Sequence, residues 1–338
     1  MNNYLRLRAH LLYVTTRSSF SPVNNHPLLY AAKHNYLDVV KYLIEHGVDV
    51  NTQNLRGSTA LHSAAYNGNI QMAMFLLANH ADVDTQNAYS STAIYYAAEQ
   101  SNVEMVRLLL SYGANPNLQC YFNQTPFERA WVKYIDNPEL HFEMMKLLVT
   151  NIVKTEYCNP VDTNLSGFIH NKELINESEQ LKELEQQCHN EIKQMCSISV
   201  GSSCLSFFDI FVLQKDINTL ARCANNPDIV KCKNRFLMYS SCIEKSIEEG
   251  KVRAKLLQGA AESMDEIFES NQDFSQKSQT SWSHLPPEVR LMILENLDND
   301  DLTKIQHTDV AEAGEAGAEV EAEVEAEVGG AHAIYEEE

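Results

Sequence analysis

One feature constrains this chain more than any other: it repeats itself every 33 residues. The pair Ala31-Ala32 returns as Ala64-Ala65 and again as Ala97-Ala98. Leu28, Leu61 and Ile94 share a phase, as do Leu37, Ile70 and Val103, and Val40, Ala73 and Val106. Leu43, Leu76 and Leu109 follow, then Ile44, Leu77 and Leu110, and the unit closes on Gly47, His80 and Gly113. A fourth unit opens in phase at Thr125-Pro126-Phe127 and Ala130, but its second half, Glu143–Leu148, is displaced by six residues. That displacement points to an insertion around Tyr134–Pro138. A fixed period of this size means stacked supersecondary units, each unable to bury its apolar face alone.

Each unit reads as two short helices. The first carries Ala on one face, so a neighbouring helix can approach closely. The second places apolar residues at i, i+3, i+6 and i+7, one stripe of a 3.6-residue period. Gly47 and Gly113 suit the left-handed position that ends a helix. The run Gly57-Ser58-Thr59-Ala60-Leu61-His62-Ser63-Ala64-Ala65 and the closing Gly113-Ala114-Asn115-Pro116-Asn117 resemble the ankyrin repeat. The turn glycine of that pattern stands at Gly57 but is Ser90 and Asn123 in the later units, and its proline is replaced by Ala60 and Ala93. At its position in the pattern, His62 is expected to stabilise the turn.

The same phase reaches the start of the chain. Moving the second-helix stripe back by 33 gives Tyr4, Leu7, His10 and Leu11, so residues 1–25 read as a capping half repeat ahead of about four repeats over 26–153. The first 37 residues lack Asp and Glu but hold Arg6, Arg8, Arg17 and Lys33, a balance that also occurs in transit peptides. The in-phase stripe favours the cap. By the register of the resemblance, residues free to bind lie on the exposed side of the first helices and on the turn fingertips. Lys33, His34, Tyr66, Asn67, Glu99 and Gln100 fall in the first group, and Leu55, Arg56, Tyr89, Tyr121 and Phe122 in the second. Exposed aromatics with Arg are the usual makings of an interface hot spot.

Residues 154–177, with Pro160 and Gly167 among polar stretches, read as an irregular connection. From 178 to 270 the chain turns helical, starting with a stripe of Leu181, Leu184, Cys188, Ile192, Met195 and Cys196. The 8 cysteines form no close pair, and a spacing of eight returns to one helix face, so buried reduced thiols are expected and no metal. Phe207-Phe208-Asp209-Ile210-Phe211, Asn218-Thr219-Leu220-Ala221-Arg222 and Gly250–Leu257 resemble the PRANC region. That region follows ankyrin repeats in poxvirus proteins and in effectors of some intracellular bacteria.

A polar linker over 271–281 leads to Trp282-Ser283-His284-Leu285-Pro286-Pro287-Glu288-Val289-Arg290-Leu291-Met292-Ile293-Leu294-Glu295-Asn296-Leu297, then a polar break and Leu302. Pro286 and Pro287 fix an extended entry and a first helical turn. Residues 282–306 resemble the opening half of an F-box, truncated near Gln306. The resemblance implies docking to the Skp-family linker of cullin–RING ubiquitin ligases through Leu285, Pro286, Glu288, Val289, Ile293, Leu294, Leu297 and Leu302, with Trp282 as an added anchor. A plain capping helix is the alternative.

The expected architecture is therefore all-α: an ankyrin solenoid, a helical region, an F-box-like motif and an acidic tail. Residues 307–338 include Asp309 and ten glutamates with no Lys or Arg, so they carry much of the formal net charge of −20 and read as disordered. That balance, with no basic patch, argues against nucleic acid or an anionic membrane as partner. No phosphate loop, zinc-protease or nucleophile-elbow motif occurs, so neither an enzyme nor a cofactor is expected. Two functions remain: an adaptor that recruits a host target to a ligase, or a scaffold that only masks a host protein. The resemblance implies an effector acting in the cytoplasm of a eukaryotic host cell.

Overall fold

The computed structural model describes residues 26–158, 163, 165–200, 206–213, 216–270 and 287–307. The expected half-repeat cap, the linker over 271–281 and the acidic tail beyond His307 lie outside these residues. The described residues are helical apart from turns and one isolated bridge between Ser199 and Ser206, as the all-α expectation required. The chain divides into two compact units after Lys193.

In the first unit, helix pairs alternate with fingers. They are α1 (Pro27–Lys33) and α2 (Leu37–Glu45), α3 (Ala60–Asn67) and α4 (Ile70–Ala78), α5 (Ala93–Glu99) and α6 (Val103–Ser111), then α7 (Pro126–Asp136) and α8 (Pro138–Cys158). All three Ala pairs are buried, which lets successive first helices pack closely. One added turn supplies four of the six displaced residues in the fourth repeat: α7 has 11 residues where α5 has 7.

Each repeat uses the left-handed backbone at three places 33 residues apart. These are Asn35, Gly68 and Ser101 after the first helix; Gly47, His80 and Gly113 after the second; and Gly57, Ser90 and Asn123 on the finger. The conformation persists where glycine does not, because the local hydrogen bonds are the same. Gly57 N–H donates to Asn54 O, Ser90 N–H to Asn87 O and Asn123 N–H to Cys120 O, all at 2.8 Å. Asn54 and Asn87 add a second lock, since the Oδ1 of each accepts two finger amides. Neighbouring fingers are joined by Ala88 N–H to Arg56 O and Tyr121 N–H to Tyr89 O, both 2.7 Å.

Residues 154–177 depart from expectation. α8 runs on to Cys158, and α9 (Ser166–Glu177) docks against the fourth repeat. Fully buried Asn171 accepts from Thr125 Oγ1 (2.5 Å) and donates to Asn117 Oδ1 (2.9 Å). Gly167 permits that approach: a Cβ there would run into the Asn117 carbonyl. The polar residues that suggested a loop are the glue of a packed helix. α10 (Glu179–Cys196) follows and buries the predicted stripe from Leu181 to Met195, while Cys196 is exposed. The unit boundary falls inside α10, whereas the sequence pattern suggested a division at 178.

The second unit holds α11 (Phe207–Phe211), α12 (Ile217–Cys223), α13 (Pro227–Cys232), a short 3-10 turn (Lys233–Arg235), the long α14 (Ser240–Ser270), α15 (Pro287–Glu295) and α16 (Asn299–His307). Its α11 buries Phe207, Phe208, Ile210 and Phe211, so the dense apolar patch in the sequence is core. Gly250 lies on α14 where α12 crosses it; a Cβ there would meet Leu220 O at 2.7 Å.

Candidate functional site

His62 joins two fingers and faces no ligand. Its Nδ1 accepts from Thr59 N–H (3.1 Å) and lies 2.9 Å from Thr59 Oγ1, while Nε2 lies 3.0 Å from Ser91 O. An acceptor at Nδ1 leaves the proton on Nε2, which donates to Ser91. Burial holds the ring below the ordinary histidine pKa, against the bond to Ser91.

The finger residues Leu55, Arg56, Tyr89, Tyr121 and Phe122 are all exposed. Tyr121 and Phe122 are 72% and 70% accessible, with rings edge-to-face at 5.6 Å. Cys120 replaces the asparagine that locks the two earlier fingers, so this tip is held by main-chain bonds and by Gln119 Nε2 donating to Asn123 O at 2.7 Å. On the first helices, Tyr66 is exposed and packs edge-on to Tyr96 at 6.0 Å. Asn67 is exposed but donates to Lys33 O at 3.1 Å, tying adjacent repeats, and Gln100 is exposed. Glu99 departs from the expectation of a free contact residue. Its carboxylate receives Arg129 Nη2 at 2.5 Å and its carbonyl receives Lys133 Nζ, so the next repeat consumes its polar groups. Lys33 and His34 are exposed, with His34 against Tyr30 and Tyr36.

Glu156, Glu185 and His189 are the one group among the described residues whose spacing suits a metal ion. The Lys172 ammonium sits among them, 2.5 Å from Glu156 Oε1 and bonded to Glu185. Burial opposes the Lys172 charge, but these two carboxylates outweigh it and raise its pKa above the ordinary value. The protein thus supplies its own cation there. None of the cysteines among the described residues joins this group.

The F-box-like motif falls partly outside the described residues. Trp282, Leu285 and Pro286 lie there, and of Glu288 only the backbone is described. The rest splits into two faces. Ile293, Leu294 and Leu302 are buried against Ala221 of α12 and Leu257, Ala260 and Met264 of α14, with Val289 and Leu297 partly buried beside them. These inward residues hold the helix pair to its own unit, which corrects their expected role as contacts for a partner. The pattern had shown no core for this stripe because α14 begins almost fifty residues upstream. The outward face of α15 carries Leu291 and Met292, 40% and 48% exposed. Neither is among the residues that the F-box resemblance assigns to docking; the helical period groups Met292 with Val289, Ile293 and Leu297 on one face, whereas the structure turns it outward. For Leu291, an apolar residue off that stripe was the available signal.

The turn from α15 to α16 is held from below. Arg253 of α14 is 2% exposed and donates to Glu295 O, Leu297 O, Asn299 Oδ1 and Asn218 Oδ1. Arg222 grips the Glu295 carboxylate, with Nη2 at 2.7 and 2.6 Å from its two oxygens. Asp216 caps α12 by accepting from Asn218 N–H and Thr219 N–H, both at 3.0 Å. Burial opposes the Asp216 charge, yet these bonds and Arg222 hold its pKa below the ordinary value. A cleft of about 490 Å³ opens beside this turn, lined by Ile217, Arg253 and residues 295–300.

Comparison with known proteins agrees with this division. The family model for ankyrin repeats matches in three overlapping copies, over residues 11–87, 28–120 and 75–163. The model for the PRANC domain matches residues 202–307. Among curated relatives, the ankyrin repeat protein FPV031 of Fowlpox virus (strain NVSL) is 28% identical over 321 residues, covering 82% of this chain and 91% of that protein. Its fellow FPV014 is 29% identical over 49% of this chain and 37% of its own length. For FPV233 the figures are 29%, 84% and 46%. The chain thus spans most of the first relative but less than half of the other two.

Proposed function

This chain is an ankyrin-repeat protein with a PRANC domain at its C-terminal side, related to the ankyrin repeat proteins of poxviruses, and from that premise we propose that it is a non-catalytic adaptor. Both modules serve protein–protein interaction. In the proposed mechanism the finger surface holds a host protein while the F-box-like motif docks the Skp-family linker of a cullin–RING ubiquitin ligase. Tethering raises the effective concentration of the target near the ligase, so no catalytic residue is needed in this chain. The site of action is the cytoplasm of the infected host cell. No helix among the described residues is long and apolar enough to cross a membrane.

The observation that carries this reading is a pair of exposed apolar surfaces, one on each unit. An adaptor needs two. Tyr89, Tyr121 and Phe122 head the first; Leu291 and Met292 form the second. The F-box resemblance assigns Trp282, Leu285, Pro286 and Glu288 to the same docking role. The test is capture of a purified Skp-type linker by the full chain. Wild type is expected to retain it, and Leu291→Asp/Met292→Asp and Leu285→Ala/Pro286→Ala are expected to lose it with folding intact. A wild-type chain that retains no linker refutes the ligase role. On the target side, Tyr89→Ala/Tyr121→Ala/Phe122→Ala is expected to deplete partners recovered from infected cells; an unchanged set moves the interface elsewhere. Burial of Ile293, Leu294 and Leu302 favours the second reading, a scaffold that masks its target and uses the terminal helices only as a cap.

A further inference from the structure

The PRANC-like stretches around Asn218, Arg222 and Arg253 lie far apart in sequence and meet at a single turn. When α15 ends, its last carbonyls lose their intrahelical partners. Arg253 Nη2 supplies a donor to one of them, Glu295 O at 3.1 Å, and to Leu297 O in the turn beyond at 2.6 Å. Its Nη1 reaches Asn299 Oδ1 at 2.9 Å, at the start of α16, and its Nε reaches Asn218 Oδ1 at 3.2 Å. Asn218 Nδ2 in turn donates to Glu295 O at 3.0 Å. A buried guanidinium is unfavourable unless its donors are satisfied. Here every partner lies on this turn or on the α12 residue that braces it, so what Arg253 contributes is the geometry of the turn. A lysine cannot replace it, because one ammonium does not reach in three directions as the planar fork does. Gly250, one helical turn before Arg253, lets α12 come close enough for Asn218 to take part.

We infer that Arg253, braced by Asn218 and Arg222, is the positioning residue that locks the α15–α16 turn and so sets the outward presentation of Leu291 and Met292. This rests on the docking reading above for its consequence, but not for its geometry. The test is hydrogen exchange on the full chain, wild type against Arg253→Met and Arg253→Lys, alongside capture of a Skp-type linker. In both variants, amides of residues 287–307 are expected to exchange at least about tenfold faster while those of α14 before residue 265 keep their protection. Linker capture is expected to fall with them. Unchanged exchange over 287–307, or an equal loss across α12 and α14, overturns the inference. So does full linker capture by Arg253→Met when its terminal helices exchange faster. Asn299→Ala, which removes only the Nη1 partner, is expected to loosen the same segment less and serves if the Arg253 variants do not fold. If wild type captures no linker, the docking reading falls and the exchange data still judge the clamp.

Discussion

Replacing Gly167 by alanine tests the most consequential contact that the sequence did not announce. The added methyl would collide with Asn117 O and come within 3.0 Å of Gln119 Cγ and Thr125 Cγ2. The Asn117 carbonyl is main chain and cannot swing aside, and Thr125 opens the fourth repeat, so α9 must move away. Overpacking of this kind costs about 1–3 kcal/mol. The shift also pulls Asn171, which is fully buried, from Thr125 and Asn117. Leaving such a group unsatisfied costs a further ~1–3 kcal/mol. A total of roughly 2–6 kcal/mol lowers the midpoint of the first unit by on the order of 5–20 °C, at ~2–4 °C per kcal/mol for a domain of this size. Trp131 reports on the unit directly, being buried in α7 and stacked on Tyr134 at 5.5 Å. Its fluorescence during thermal unfolding, in a Trp282→Phe background, is the assay. A Gly167→Ala midpoint within about 2 °C of its parent would refute the claim that α9 is an integral, tightly docked end of the repeat stack.

Other outcomes follow from the same geometry. Ser90→Gly relieves a left-handed residue (φ 51°) and is expected to raise the midpoint of the first unit by a few degrees, from ~0.5–1 kcal/mol; a lower midpoint would show that the serine side chain earns its place. Leu294→Ala is expected to cost the second unit about 2–5 kcal/mol in chemical denaturation, against under ~0.5 kcal/mol for Leu291→Ala, because only Leu294 is buried. Equal costs would contradict the two-faced description of α15. His62 gives a pH dependence. Burial holds its pKa below the 6.5 of the unfolded chain, so the unfolded state binds more protons between the two values. Its contribution is whole above about pH 6.5 and lost as pH falls below it. Between pH 7 and pH 5 the wild-type midpoint is therefore expected to fall further than that of His62→Gln, and parallel curves would exclude this linkage.

The period of 33 fixed much by itself. It dictated paired helices, buried alanine contacts and fingers at known places, because a stacked solenoid repeats its packing and its sequence must repeat with it. It also located Leu55, Tyr89, Tyr121 and Phe122 on the fingertips, where no core position competes for them. Glu99 is not free to bind because the register says where a residue sits but not which partner the next helix offers; Arg129 and Lys133 reach it from 30 and 34 residues on. Residues 154–177 read as loop because their apolar period is weak. What makes α9 a helix in place is a buried asparagine and a close glycine contact, both tertiary.

The same distinction governs the second unit. Its helices could be read from local periodicity, and the F-box-like pattern from residue order. Which side of α15 faces inward could not, since the stripe of Ile293 and Leu294 acquires a core only when α14 folds against it. Nor could local pattern explain Arg253, whose four partners are supplied by α12 and by the distant α15–α16 turn. Sequence alone determined the elements and the repeat surface, because those depend on neighbours within a turn or a period. Tertiary structure decided which apolar face remained exposed, because burial is a property of what the chain brings together from a distance.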